Sequence, residues 1–506
     1  MLRRRLVVLP WATIGIWSAV LLGAALRLRH FLANRSLWLD EALLANALLE
    51  HPLAGLTRPL SDNQAAPFGY LLTEHVAVWL FGSGEPALRL VALLCSLAAL
   101  PLFVLVARRL LSPSAVLFAT LTFALSRPEL YYAAEVKPYG PDVLVALIFL
   151  LMGVALAGTP TRATLALSAL AGSLLIWCSY PAILMASGVG VALCAHAAVR
   201  RDRAALLRRA GVLGLWVASF VVCYLLTIRP VVENSFLQAY WSDHFAPLPP
   251  RSLGDLRWYL EQPLALFGSD VAGFSLIGAG AFLALFGVAA LARTGRLALA
   301  LCVAPIGFTI AAAALRHYPF EGRLLIFLAP GVLLLVAEGL LALHRLARPL
   351  ASWLAPVMAL LLLAGMVIED RGLIVAPGRE ELRPVLEYVS AHRAADDRVY
   401  IYYGAEPATR YYAPRLGLDS AVVRYGSNVR HDLVALQREL AGLSGRTWVV
   451  FAHVYDGDGI DEERFALYLL DSQGVQLQRV RSPSATAYLY DLGEPEPTSI
   501  PLRIKS

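Results

Sequence analysis

Charge is what this sequence has least of. Of its 506 residues only 16% are Asp, Glu, Lys or Arg, while 58% are hydrophobic and the mean hydropathy is +0.62. Soluble domains carry about a quarter charged residues, so an ordinary water-soluble globule is excluded. Cysteine is scarce as well. Cys95, Cys178, Cys194, Cys223 and Cys302 lie inside apolar runs and none forms a CxxC pair. That excludes a disulfide framework and a zinc site and leaves small buried core residues. No glycine-rich phosphate loop and no internal repeat occur, nor any basic patch interleaved with stacking aromatics. The last absence decides how to read a net charge of +6 and a pI near 9.1. Without such a patch, no nucleic-acid partner is expected.

What is present is a series of long apolar runs, such as Val7 to Leu26 and Leu297 to Leu315. A helix needs about 20 residues to cross a bilayer core. By that measure the chain is a multi-pass α-helical membrane protein of about 11 spans, at roughly 7–28, 87–107, 114–126, 140–158, 163–178, 181–199, 210–228, 272–292, 297–315, 323–343 and 350–369. The first run follows Arg3, Arg4 and Arg5 but is too long for a signal peptide and has no cleavage site, so it reads as a retained span. Short loops on the same side hold Arg108 and Arg109, Arg162, Arg200 to Arg209, Arg293 and Arg296, and Arg345 and Arg348. Basic short loops face the cytoplasm. This predicts a cytoplasmic N-terminus and an extracytoplasmic C-terminus in an integral protein of a bacterial inner (plasma) membrane.

The opposite side has long loops that hold most of the acidic residues of residues 1–372. In the first, Asp40 to Leu49 and Pro67 to Leu80 show helical apolar periodicity and read as interfacial helices. From about residue 373 the composition becomes that of a soluble α/β domain, 373–506. Helices are expected at Glu380 to Arg393, Thr409 to Tyr412, Asp432 to Leu443 and Asp461 to Leu470. Strands are expected at Val399 to Tyr403, Trp448 to Val454 and Thr486 to Tyr490, in two or three layers.

Three segments on the acidic side carry groups suited to chemistry. In Trp38-Leu39-Asp40-Glu41, Asp40 is either a helix N-cap followed by a dipole-compensating glutamate or a general base. An attacking alcohol must lose its proton, which makes a base useful there. Glu135-Val136-Lys137-Pro138-Tyr139 leads into Asp142 at the start of a span. An aromatic belt with a snorkelling lysine accounts for Tyr139 and Lys137 but not for two carboxylates at that depth. Tyr318-Pro319-Phe320-Glu321-Gly322-Arg323 opens a late span. Lys137 and Arg323 could together clamp a lipid-linked phosphate.

In order and spacing these segments resemble the C-type glycosyltransferase superfamily, in the branch of protein O-mannosyltransferases and the lipid A aminoarabinose transferase. Trp38-Leu39-Asp40-Glu41 resembles its first-loop Asp-Glu motif, Ala66-Pro67-Phe68-Gly69-Tyr70 its Pro-Pro-Leu-type motif, and Glu135 to Tyr139 its second-loop Glu-Ala-Arg-x-Tyr motif. Gly322-Arg323 resembles its late Gly-Arg. The resemblance implies that Asp40 is the base, with Glu41 beside it. It further implies that Glu135, Tyr139, Asp142, Gln64 and Tyr318 bind substrate, while Lys137 and Arg323 bind the donor phosphate. In the lipid A branch a Glu-Lys pair binds a metal and the donor phosphate just before the Pro-Pro motif. Here Gln64 and Ala65 stand there, so no metal and no cofactor is expected.

The resulting expectation is an inverting hexosyl- or pentosyltransferase. It would move a sugar from a polyprenyl phosphate to an acceptor hydroxyl on a protein, lipid or polysaccharide at the outer face, in contact with membrane lipid. A transporter or flippase of a polar lipid would use the same buried charges but often shows paired repeats, and none occurs. A non-catalytic scaffold of a glycan-assembly complex is the other alternative.

Overall fold

The computed structural model describes residues 10–368, 378–419, 421–457 and 459–493. The arginines at 3–5 and the expected domain border at 372/373 lie outside the described residues. The chain forms two compact units: Met1–Asn34 with His51–Ala376, and Arg35–Glu50 with Pro377–Ser506.

Among the described residues of the first unit, eight helices are long and apolar enough to cross a membrane: Trp11–Leu32, Leu90–Leu110, Tyr139–Ala157, Ala182–Val199, Arg203–Val232, Ile277–Thr294, Arg296–Ala314 and Gly322–Ala347. Shorter apolar helices at Pro113–Leu125, Arg162–Cys178 and Leu354–Ile368 occupy the third, fifth and eleventh expected spans. A fourth, Phe68–Phe81, matches the helix expected in the first long loop.

Between apolar helices in lipid, close backbone approach replaces the hydrophobic driving force, and glycine sets the contacts here. A Cβ on Gly287 would sit 2.0 Å from the Leu335 carbonyl oxygen, and one on Gly339 would sit 1.8 Å from that of Leu283. Only hydrogen fits where these two helices cross. Arg27, inside the first helix, is fully buried. Its guanidinium donates to Ser96 Oγ at 2.8 Å and to the Gly23 and Ala124 carbonyls at 3.1 and 3.3 Å, with Glu129 at 4.0 Å. A buried charge is tolerated when it is compensated in this way. Glu338 is similarly used: it accepts from the Ser112 backbone N–H at 2.9 Å and from Ser112 Oγ at 2.7 Å, fixing the turn ahead of the helix at 113–125.

The second unit is a three-layer α/β domain. Its strands are β1 Arg398–Ile401, β2 Val423–Tyr425, β3 Gly445–Ala452, a short hairpin of β4 Asp456–Gly457 and β5 Ile460–Asp461, β6 Gly474–Ser482 and β7 Ala485–Leu492. The main sheet has the order β2-β1-β3-β7-β6. The pairs β1/β2 and β1/β3 are parallel, and β3/β7 and β6/β7 antiparallel. Side chains alternate across a sheet. Tyr400, Tyr402, Val449, Phe451, Tyr488 and Tyr490 pack with Leu436, Leu440, Ala466 and Leu470 of the helices Leu433–Ala441 and Glu462–Gln473. The helix Leu382–His392 lies against β6 and β7 from the other side, where its Tyr388 meets Trp448 edge-on. β2 and β6 were not expected from the sequence. The first is only three residues long, and the second is an edge strand with Val475 and Leu477 exposed.

The helix Leu39–Glu50 is the unexpected member of this unit, since it lies within the range 1–372 read from the sequence as membrane domain. Its entry is built on hydrogen bonds to residues some 340 positions later. The Ser36 N–H and Oγ donate to Glu381 at 3.1 and 2.8 Å, the Leu37 N–H to Tyr412 Oη at 2.7 Å, and the Leu39 N–H to Glu380 at 3.1 Å. Asn46 reaches the Pro407 carbonyl at 2.8 Å, and the Arg379 guanidinium lies over the Trp38 ring at 4.2 Å. Leu37, Ala42, Leu44, Ala45 and Leu48 are fully buried.

Candidate functional site

Seven of the nine residues singled out by sequence, all but Asp40 and Glu41, belong to the first unit. Pro138 and the run before it carry the chain into the helix Tyr139–Ala157 through a tight turn, in which the Lys137 N–H donates to the Glu135 carbonyl at 2.8 Å. That turn keeps Glu135 fully buried and Lys137 nearly so. Lys137 Nζ donates to Gln64 Oε1 at 3.1 Å, joining the first long loop to the second. Tyr139 packs edge-on against Tyr132, with ring centres 4.8 Å apart, and the Arg323 guanidinium stands 5.9 Å from its ring centre. Arg323 is turned into this position by Gly322, whose φ of +33° favours glycine. Tyr318 donates to the Leu324 carbonyl at 2.7 Å, bracing the same turn, and Asp142 lies within electrostatic reach of Tyr318 and of Tyr180.

The Arg323 guanidinium stands beside the Tyr139 ring at the N-terminal end of a helix, and Lys137 lies two residues ahead of that ring in the chain. Helix N-termini favour anions as well. A phosphate is the chemistry that such a grouping accommodates. A divalent metal at Gln64 is not: its side-chain oxygen already accepts from an ammonium, which a metal ion bound to that oxygen would repel. Gln64 and Ala65 therefore do not fit the metal-binding role that this position has in the lipid A branch.

One signal passed over in the sequence reading strengthens Lys137. The chain has only two lysines, Lys137 and Lys505, against 41 arginines. An ammonium is a compact point charge where a guanidinium is a planar fork, so the exception at 137 marks a position with its own requirement. Glu74, on the helix Phe68–Phe81, was read only as part of an acidic loop. It is fully buried, and burial pushes its carboxyl up to about 8 against the opposing pull of Tyr70.

Asp40 and Glu41 belong to the second unit, in the first turn of Leu39–Glu50. Asp40 is half-buried and Glu41 buried. The helix's leading N–H, on Leu39, is bonded by Glu380 rather than by a cap at Asp40. Asp40 thus sits inside the helix, two residues beyond Trp38, whose carbonyl accepts the first helical bond from the Ala42 N–H at 2.9 Å. Glu380 is also paired with His453 Nδ1, at 2.6 Å. Sequence gave no sign of this bridge, because its partners share no local pattern.

No family model matches the sequence, and no curated protein matches it. Solved structures do. ArnT from Cupriavidus metallidurans bound to undecaprenyl phosphate has a TM-score of 0.52 at 15% identity, over 95% of this chain and 98% of that one. The same protein in the apo state gives 0.51 at 14% identity, over 95% and 97%. The apo oligosaccharyltransferase of Archaeoglobus fulgidus gives 0.50 at 11% identity, over 96% of this chain and 75% of that one. The chain has the fold of these C-type membrane glycosyltransferases, the superfamily that its motifs resemble.

Proposed function

We propose that this protein is an inverting glycosyltransferase that takes a sugar from a polyprenyl phosphate and delivers it to an acceptor hydroxyl at the outer face of a bacterial inner membrane. The observation that carries the reading is the Arg323 guanidinium beside the Tyr139 ring at the head of a membrane-spanning helix, with Lys137, bonded to Gln64, two residues ahead of that ring. In this reading the prenyl tail stays in hydrocarbon while the leaving phosphate meets the two cations, whose charge-assisted hydrogen bonds lower the cost of its departure. Asp40 takes the acceptor proton as the hydroxyl attacks the anomeric carbon opposite the phosphate. Glu41, Glu135, Gln64, Tyr139, Asp142 and Tyr318 hold sugar or acceptor hydroxyls. The fold shared with ArnT, solved with undecaprenyl phosphate bound, supports a lipid-phosphate donor.

The arginine-rich short loops support a cytoplasmic N-terminus and an extracytoplasmic C-terminal part. We assign donor binding to the membrane part and acceptor binding to the C-terminal part together with residues 35–50. The test is mass spectrometry of envelope glycolipids, glycoproteins and polysaccharides from cells with and without the gene. A glycan lost with the gene and restored by the wild-type chain, but not by an Asp40→Asn chain, is the expected result. An identical glycan profile in both strains would overturn the reading.

A further inference from the structure

The C-terminal domain contains a cavity of about 350 Å³ lined by Arg379, Glu380, His453, Glu463, Arg481 and Thr486, among others. That volume is at the low end of the range for small-molecule sites, enough for a small saccharide. Its charges are not all available. Glu380 is held by the Leu39 N–H and His453, and Glu463 accepts from Tyr488 Oη at 2.9 Å. The Arg481 side chain makes no hydrogen bond or ion pair with any described residue, and the Arg379 guanidinium lies over the Trp38 ring. The acidic groups are thus satisfied inside the protein while the guanidinium at 481 is left to meet a ligand. A cationic ligand finds no open carboxylate, and an apolar one finds a polar wall.

His453 is held at φ +49°, a left-handed conformation that is costly for a non-glycine residue. The strain keeps its imidazole on Glu380 at the cavity wall. Glu380 in turn bonds the first turn of the helix that carries Asp40 and Glu41.

From this geometry we infer that the cavity binds a saccharide bearing an anionic group, a phosphate or a carboxylate, through Arg481 and Arg379. The Thr486 hydroxyl at the cavity wall can meet one of its hydroxyls. The identification of this saccharide as part of the acceptor rests on the transferase reading above; the binding itself does not. Glu380 is then a positioning residue, tying the filled cavity to the helix of the proposed base.

The experiment is ligand-observed NMR titration of the full-length protein in nanodiscs with glucose 6-phosphate, glucuronate and uncharged glucose. At least one charged sugar should bind at least tenfold tighter than glucose, and whichever does so tells phosphate from carboxylate. Arg481→Met should weaken that binding about tenfold or more, and Arg481→Lys less, since a lysine keeps the charge but not the fork. Glucose binding as tightly as both charged sugars, or charged-sugar affinity unchanged in Arg481→Met, would overturn the inference. Undecaprenyl phosphate titrated in parallel separates the two proposals. If it fails to bind while a charged sugar binds, the cavity stands and the transferase reading falls.

Discussion

Lys137 hydrogen-bonds Gln64 across 3.1 Å, so the ammonium is held to the first long loop by a neutral amide oxygen in this contact. A charge-assisted hydrogen bond contributes roughly 1.5–3 kcal/mol, and ~1.4 kcal/mol is a factor of ten. Lys137→Met is therefore expected to weaken undecaprenyl phosphate binding by about one to two decades, and Arg323→Met by a similar factor. With Lys505→Arg in the background, Lys137 is the single lysine. Bound donor should then slow its acylation by an amine-reactive reagent. Unchanged affinity in both variants would return the pair to a role as interfacial anchors.

Asp40→Asn should remove turnover while leaving donor binding intact. Loss of a positioned general base costs about 10²–10⁴ in rate. Radiolabelled transfer to the natural acceptor, once identified by glycan mass spectrometry, gives the measurement. An active Asp40→Asn with an inactive Glu41→Gln would move the base by one residue. Activity in both would leave the helix a purely structural part of the C-terminal domain.

A pH dependence follows from Glu74. Its folded carboxyl is raised to about 8 by burial, so between its ordinary value and 8 the folded state holds a proton that the unfolded state has released. Linkage then makes stability fall as pH rises through that window. Thermal melting in detergent should show the wild-type losing stability from pH 5 to pH 8.5. Glu74→Gln, which is neutral throughout, should flatten that loss and melt higher than wild-type at pH 8.5. Parallel profiles for the two proteins would show that Glu74 is ionised in the fold.

The crossing of Ile277–Thr294 with Ala329–Ala347 should be intolerant of a single methyl. Gly339→Ala puts a carbon 1.8 Å from the Leu283 carbonyl oxygen, and overpacking of this kind costs typically about 1–3 kcal/mol. Gly278→Ala, on the other helix of the crossing, meets nothing within 4 Å and serves as the control. A lower melting temperature for Gly339→Ala but not for Gly278→Ala is expected. Equal melting of the two would mean that the helices are not in contact at the glycines.

The membrane helices were legible because a span leaves an unmistakable local trace, a run of apolar residues about as long as the bilayer is thick. The trace was weakest at 163–178 and 181–199, with almost no loop between them, and at 114–126, which is short; there the helices are Arg162–Cys178, Ala182–Val199 and Pro113–Leu125. Central strands β3 and β7 were legible for the same reason, as apolar runs buried on both faces. β6 was not, because an edge strand with one face in water carries little burial pattern. Lys137, Tyr139 and Arg323 could be named from motif order, but the approach of Arg323 to the Tyr139 ring depends on three-dimensional packing. The membership of residues 35–50 in the C-terminal domain was invisible. It is written in hydrogen bonds such as Ser36 to Glu381, spanning 345 positions, and no local pattern encodes a partner so distant.

That separation also sets a timetable for biosynthesis. At about 5–20 residues per second, the ribosome reaches Glu381 roughly 20–70 s after it has made Ser36. Throughout that interval Leu37, Leu44 and Leu48, which end fully buried, have no domain to be buried in. The C-terminal strands in turn are made only after one of their helices has waited through the synthesis of the whole membrane part. A secreted fragment beginning at residue 378 lacks that helix and should aggregate, and a synthetic peptide covering 35–50 should rescue its solubility in trans. Assembly of this domain is therefore a late docking event between the two ends of one chain, and quality control of the nascent protein has a defined window in which to act.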